Sequence, residues 1–334
     1  MLFLRFIAVR AILALFTLTL VSFIVFSLME LVPGDCAERY VAFKNTTGQG
    51  ITEGDIEAER VRLGLDKPFI QRWGTWIGNV LFRGDFGESC ILRVGINDLL
   101  KDKFFISLGI ALSALVVAYA IAIPVGIIAA TSKNVMVNGS LRFVSYLGLA
   151  LPNFLLALIV MLIWTELYSE TPTGLFSREY RDAPWSFDKL LDFLGRAWLP
   201  IFILGWSATA FALQTVRALM SDEIGKLYVT AAAARGVTGR KLLWRYPARH
   251  ALGPIINSLG FDLNRIFNEL PIVALILILT EAGALLFEGL ARSNDQQLAG
   301  AIIFLLTASI VALNFVTDIL LAVLDPRVRK GLMS

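Results

Sequence analysis

The chain has 334 residues, a formal net charge of +3, 57% hydrophobic residues and only 17% charged residues. Its apolar residues are gathered into long runs and do not recur at the spacing of a soluble helix or strand, which excludes one or two ordinary soluble domains. The small net charge gives no support for nucleic-acid binding. The composition therefore predicts an all-α polytopic membrane protein.

The first apolar run extends from Ala11 to Met29 without a charged residue. Its length of about 19 residues is enough to cross a hydrocarbon layer of about 30 Å. Arg5 and Arg10 precede it, so the N-terminus is predicted to face the cytoplasm. It has neither the short apolar core nor the cleavage site of a signal peptide, so we expect the span to be retained. Five further runs complete six predicted spans and return the C-terminus to the cytoplasm: residues 104–132, 143–165, 197–216, 252–279 and 298–317.

From Glu30 to Lys103 the chain mixes acidic and basic residues, and this segment is predicted to lie outside the cytoplasm. It contains the only two cysteines, Cys36 and Cys90. An oxidising compartment permits a disulfide between them. Such a bridge closes a loop of about 54 residues, worth on the order of 4 kcal/mol in the chain-entropy model. Two unrelated thiols remain the alternative. Between the second and third runs, Lys133 and Arg142 flank a short turn that we place in the cytoplasm.

The fifth run is interrupted by Asp262, Arg265 and Glu269. Their spacing of three and four residues places them on one face of a helix, where each can pair with the next. Because a lone charge at a membrane centre costs about 2.5 to 3.5 kcal/mol, these side chains should face protein or water. We interpret them as the lining of a polar translocation path. The alternative is an internally paired triad that only fixes the packing between two subunits.

The longest polar and basic segment between apolar runs is Ser221–Pro254. Residues 228–235 are rich in alanine, the strongest helix former, and Gly236 follows where a left-handed C-terminal turn requires glycine. Thr238 is a candidate N-cap for a second helix. This helical hairpin is basic and is therefore predicted to lie in the cytoplasm. A helix of small residues offers a smooth face to another protein, so we interpret the hairpin as a docking element.

These residues resemble the EAA cytoplasmic loop of ABC importer permeases, with Thr230 in the place of the leading acidic residue. The matching residues of the loop are Tyr228, Thr230, Ala231, Ala232 and Gly236, followed by Arg249–Pro254. Four short segments elsewhere in the chain are similar, in order and spacing, to segments of the dipeptide and oligopeptide branch of that family. These segments are Leu31–Asp35, Leu63–Pro68, Arg83–Ser89 and Leu324–Gly331.

The resemblance implies the type I ABC importer permease fold, with six transmembrane helices in a bacterial inner membrane. It divides the chain into a first transmembrane helix (1–32), a periplasmic segment (33–103) and a core permease domain (104–334) with a cytoplasmic coupling loop (221–254). In this family two permeases form one path, two ATPase subunits bind the inner loops, and a periplasmic binding protein delivers a peptide or peptide-like solute.

Carried over to this sequence, the resemblance implies an ATPase-coupling helix. ATP-driven closure of the ATPase subunits then moves this helix, and the attached spans switch the path between outward and inward access. The coupling residues are Tyr228, Thr230, Ala231, Ala232, Ala234 and Gly236.

The chain departs from the family at the charged fifth run, and Thr280–Gly283 replaces an acidic Pro-Gly-Leu-Gly signature. A charged lining suits a cargo with both signs of charge. Alternatives within the same family are an opine, an oligosaccharide or a metal chelate. An ion-coupled secondary transporter would use the charged run as its coupling site, but no convincing internal repeat supports it. A non-transporting membrane scaffold would have no reason to bury three charges together.

The sequence lacks the motifs of nucleotide-binding, zinc-binding and Ser-His-Asp sites. No Gly-rich stretch followed by Lys-Ser or Lys-Thr is present, so ATP hydrolysis is expected on a separate subunit. His250 is the only histidine, and with two outer cysteines it makes no zinc site and no Ser-His-Asp arrangement. We therefore expect neither an enzyme nor a chain that binds a cofactor or metal.

Overall fold

The computed structural model describes residues 2–31, 33–46, 53–181, 183–279 and 295–324. In these ranges the regular structure is helical, apart from an isolated antiparallel bridge between Glu88 and Gly95. The all-α prediction is thereby confirmed. Thr280–Gly283 and the basic ending from Asp325 onward lie outside the described residues. The helices are α1 Leu2–Leu31, α2 Cys36–Thr46, α3 Glu53–Leu63, α4 Phe69–Arg83, α5 Ile96–Thr131, α6 Val135–Ala150, α7 Asn153–Tyr168, α8 Phe187–Ile224, α9 Leu227–Ala234, α10 Gly239–Arg245, α11 Pro247–Asn257, α12 Leu259–Ile276 and α13 Gln296–Leu324.

Four of these helices, α1, α5, α8 and α13, are long and apolar enough to cross a membrane. The pair α6 and α7 counts as a fifth crossing if the two helices form one span. The predicted fifth span corresponds to α11 and α12, which meet at Ser258. Helix α12 contains three charged residues and is therefore not among the apolar helices that pass as spans. Among the described helices, a sixth span therefore requires α12 to cross the membrane with its charges.

The predicted third span is not one straight helix. Residues 143–165 are shared between α6 and α7, which are bent by 102° at the break between them. Leu151 is extended there, with φ −93° and ψ 111°. Pro152 causes this bend, because proline lacks an amide hydrogen and disfavours a helical residue before it. The predicted turn before this run is also mostly helix, since the Asn134 side chain caps α6 by accepting from the Met136 and Val137 amides.

The chain divides into two compact units, each described here by itself. The first unit comprises Met1–Ala8, Ser107–Thr280 and Leu313–Ser334. At its centre is α8, against which α6, α7, α11 and α12 pack. Small residues allow close helix approach: a Cβ at Gly126 of α5 would lie 2.7 Å from Val216 of α8. We call this unit the permease unit, after the core permease domain that the sequence resemblance implies.

The second unit comprises Val9–Ile106 and Glu281–Ala312, and we call it the outer unit, after the segment Glu30–Lys103 that the sequence predicts outside the cytoplasm. An aromatic cluster in this unit joins Phe26 of α1, Trp76 of α4 and Phe304 of α13. Cys36 and Cys90 form a disulfide whose two residues are buried, with their Cα atoms 5.3 Å apart. It ties the start of α2 to the loop that precedes α5.

Charged side chains tie α3 to the rest of the outer unit. Glu59 is 7% exposed and accepts from Arg62 at 2.8 Å and from Arg93 at 2.5 Å. Arg62 also reaches Glu88 at 2.9 Å. On the other side of α3, Arg60 contacts Asp35 at 2.5 Å. Ion pairs therefore join α3 to Asp35 and to the loop around Cys90, and the disulfide joins the start of α2 to the same loop.

We expect Cys36→Ser/Cys90→Ser to loosen the outer unit, because the bridge restricts the unfolded state of a long loop. Tryptic cleavage between residues 33 and 95 of the detergent-solubilised protein should become at least about tenfold faster, given the ~4 kcal/mol that such a loop closure supplies in theory. Cys36→Ser alone should have the same effect, since one cysteine cannot bridge. Unchanged cleavage in both variants would contradict this role of the disulfide.

The contribution of Glu59 to the stability of the outer unit should depend on pH. Burial acts to raise the pKa of Glu59, but its hydrogen bonds and ion pairs with Arg62 and Arg93 lower this pKa overall below its ordinary value of 4.5. Stability from this group is therefore present above that value and is lost as the pH falls through the lowered folded pKa. Thermal unfolding monitored by tryptophan fluorescence should show wild type more stable than Glu59→Gln at pH 7. The two melting temperatures should approach each other as the pH falls below 4.5 and through the lowered folded pKa of Glu59. A gap that stays constant with pH would count against the ion pairs.

Candidate functional site

The first candidate site is the hairpin of α9 and α10, which follows directly from the end of α8. Glu223, in the last turn of α8, accepts hydrogen bonds from the Lys226 ammonium and from the Tyr228 hydroxyl. The Tyr228 ring also meets the ring of His250 in α11 at a centroid distance of 5.0 Å. Burial and the bond to Glu223 raise the pKa of Tyr228, so its hydroxyl remains a donor. The hairpin is thus attached to both α8 and α11.

A glycine turn ends α9, as the sequence predicts. Gly236 has φ +83°, a left-handed conformation that favours glycine. Its amide donates to the Ala233 carbonyl at 2.9 Å, and the Val237 amide donates to the Ala232 carbonyl at 3.2 Å. This pair of bonds is the Schellman motif of helix C-termini. Thr238 stands at the N-cap position of α10, but its side chain makes no capping hydrogen bond.

The two faces of α9 differ in exposure. Val229 and Ala232 are buried, whereas Thr230, Ala231 and Ala234 are exposed. Leu227 is 87% exposed and lies three, four and seven residues before these positions, so it shares their face. Among the predicted docking residues, Ala232 therefore points inward and Tyr228 is half-buried, while Leu227 was missed. The exposed surface of Leu227, Thr230, Ala231 and Ala234 is called the α9 face below.

The second candidate site lies around Asp262, whose side chain is fully buried in the permease unit. One carboxylate oxygen accepts from the Arg265 guanidinium at 3.0 Å. The other accepts from the hydroxyl of Tyr119 in α5. The same hydroxyl lies 2.8 Å from the Ser258 hydroxyl, at the junction of α11 and α12. The buried charge is therefore paired and hydrogen-bonded, as burial requires.

Arg265 and Glu269 continue this face of α12 and are half-buried. The Arg265 guanidinium lies over the ring of Phe211 in α8, 5.2 Å from its centroid. Among the described residues, its Nε and the Oε2 of Glu269 have no hydrogen-bond partner. Glu269 interacts with the Asn153 side chain at the start of α7. Of the three predicted residues, Asp262 and Arg265 thus form an ion pair, whereas the carboxylate of Glu269 interacts with α7.

Asn153 also connects α7 to α8. It is 1% exposed, and its amide donates to the Leu204 carbonyl at 3.2 Å and to the Ser207 hydroxyl at 3.1 Å. Sequence reasoning missed Asn153, Tyr119 and Phe211 as partners of the charged face. The only signal was their polar or aromatic character within apolar runs, which does not reveal which helix they meet. Within the described residues, no group of three or more metal-ligating side chains is placed to hold a metal ion.

Long apolar helices, a buried ionic network and an exposed helical hairpin are typical of a multi-pass membrane protein. A sequence profile of the family described as binding-protein-dependent transport system inner membrane component matches residues 122–330. The N-terminal profile of such membrane components matches residues 3–93. The chain belongs to this family of binding-protein-dependent inner-membrane transport components.

Curated relatives are similar over nearly the whole chain. A putative peptide transport system permease protein of Brucella abortus is 26% identical over 93% of this chain and 94% of its own length. The di/tripeptide transport system permease protein DppB of Pseudomonas aeruginosa is 27% identical over 98% of this chain and 99% of its own. The oligopeptide transport system permease protein AppB of Bacillus subtilis is 27% identical over 93% and 94%.

Proposed function

We propose that this chain is the permease subunit of an ATP-driven importer that carries peptides. The relatives named as peptide permeases favour this cargo over an opine, an oligosaccharide or a metal chelate, and over an ion-coupled transporter. The observation that carries the proposal is the α9 face. It is an exposed helix surface made mostly of small residues, and it follows the C-terminus of α8, the longest described helix of the permease unit.

The partners follow from this role. A second permease subunit completes the path, two ABC ATPase subunits bind the inner loops, and a periplasmic binding protein delivers the peptide. Both termini then lie in the cytoplasm of a bacterial inner membrane, with the α9–α10 hairpin on the same side. ATP is hydrolysed by the ATPase subunits, and this chain acts as a transport subunit without a cofactor, metal or nucleic acid.

Coupling proceeds through the hairpin as a rigid body. The Glu223 bonds to Lys226 and Tyr228 transmit a displacement of α9 to α8. The contact between Tyr228 and His250 transmits it to α11, which also packs against α8. Because packed helices tend to move as units, closure of the ATPase subunits would shift α8 and α11 together and change access to the path.

The path itself is proposed to run along Arg265 and Glu269, with Asp262 behind them as the paired charge that orients Arg265. A peptide carries an ammonium and a carboxylate, and this helix face offers a guanidinium and a carboxylate. Both signs of charge on one face therefore suit a zwitterionic cargo.

The docking role is tested at Gly236. Gly236→Trp places a bulky side chain beside the α9 face, so we expect ATP-dependent peptide uptake to fall at least about tenfold in proteoliposomes holding the full complex, as loss of a close helix fit predicts. Gly236→Asn is the matched control, because asparagine tolerates the left-handed conformation and adds little bulk. Its uptake should stay near wild type. Normal uptake by the tryptophan variant would exclude docking at this turn.

The path is tested with charged cargo. Arg265→Gln should lower uptake of a tripeptide with a central aspartate relative to one with asparagine. Glu269→Gln should lower uptake of a central lysine relative to glutamine. We expect each ratio to change about threefold against wild type, the size of a partly exposed charge interaction. Comparing each variant with wild type cancels the preference of the binding protein. Ratios that do not respond to either substitution would remove α12 from the path.

A further inference from the structure

Three helices meet at the joint between α11 and α12. Ser258 is the single residue between them, and its hydroxyl donates to the Ile255 carbonyl at 2.8 Å. One turn later on the same face, Asp262 is fully buried. The Tyr119 hydroxyl of α5 lies between these two side chains and contacts both. Tyr119 is itself only 6% exposed, so the contact is made inside the permease unit.

The Asp262 carboxylate has a separate partner on each oxygen. Tyr119 occupies Oδ2 and Arg265 occupies Oδ1. A carboxylate held on one side can rotate little, so the hydrogen bond from Tyr119 fixes the direction in which Oδ1 faces. Arg265 has few other restraints. Its Nε is unpartnered among the described residues. The Phe211 ring below the guanidinium limits how closely the guanidinium approaches α8, but it does not fix the direction in which the guanidinium points.

We propose that Tyr119 is a positioning residue for transport: through Asp262 it sets the orientation in which Arg265 is presented to the cargo. The inference rests on the proposed function, in which Arg265 lines the path. Tyr119 lies on a different helix and does not itself face the path. Its hydroxyl should therefore matter for discrimination between charged and neutral cargo, and only while Arg265 is present.

The test is a double-mutant comparison in the full complex, reconstituted with its binding protein. The probe is the ratio of uptake of Ala-Asp-Ala to uptake of Ala-Asn-Ala, relative to the wild-type complex. Tyr119→Phe removes one hydroxyl and keeps the ring. We expect it to lower the ratio by up to about threefold, as Arg265→Gln does. In Tyr119→Phe/Arg265→Gln the ratio should equal that of Arg265→Gln alone, because the hydroxyl acts through the guanidinium.

Tyr146→Phe is the matched control. Tyr146 of α6 is 60% exposed, so loss of its hydroxyl should leave the ratio at the wild-type value. If the Tyr119→Phe complex cannot be purified, Asp262→Asn carries the same test. It removes the charge that orients Arg265 and keeps a side chain that can still bond to Tyr119, so it should also lower the ratio.

The outcomes separate the two proposals. If Arg265→Gln lowers the ratio and Tyr119→Phe does not, the positioning role is overturned and the path stands. If Tyr119→Phe lowers the ratio equally with and without Arg265, it acts on packing in general and the inference is also overturned. If Arg265→Gln leaves the ratio unchanged, the failure lies with the proposed path. An unchanged ratio in Asp262→Asn likewise overturns the positioning role.

Discussion

The burial of Asp262 is the constraint on which the rest of the permease unit depends. A charged side chain at a membrane centre costs about 2.5 to 3.5 kcal/mol when it has no partner. Asp262 is fully buried and therefore needs the Arg265 guanidinium and the Tyr119 hydroxyl. The bond from Tyr119 fixes α12 against α5, and Arg265, which lies on α12 itself, stacks on Phe211 and extends the contact to α8.

Helix α8 links this network to the coupling hairpin. Its middle supplies Phe211 beneath Arg265 and Ser207 beside Asn153, and its last turn supplies Glu223 to the hairpin. The helix is 38 residues long, and four other helices pack against it. A displacement at its C-terminal end is therefore not confined to the hairpin that follows it. The same helix connects the proposed ATPase surface with the proposed cargo surface.

Sequence reasoning predicted the features that local chemistry determines. Long uncharged runs predicted α1, α5, α8 and α13, and Gly236 predicted the turn after α9. It did not predict the bend at Leu151 and Pro152, since neighbouring helices often accommodate proline within a straight span. Periodicity placed Asp262, Arg265 and Glu269 on one face. It could not reveal that Asp262 faces Tyr119, because that contact joins residues far apart in the chain and depends on packing.

The most direct measurement of the central claim, that α9 receives an ATP-hydrolysing partner, is purification of the tagged chain from native membranes in mild detergent. Mass spectrometry would identify the chains that accompany it, and a phosphate-release assay would measure their activity. We expect an ABC ATPase and a second permease in the purified complex, with ATP hydrolysis stimulated by peptide-loaded binding protein. A chain that purifies alone and moves solutes only along an ion gradient would contradict it.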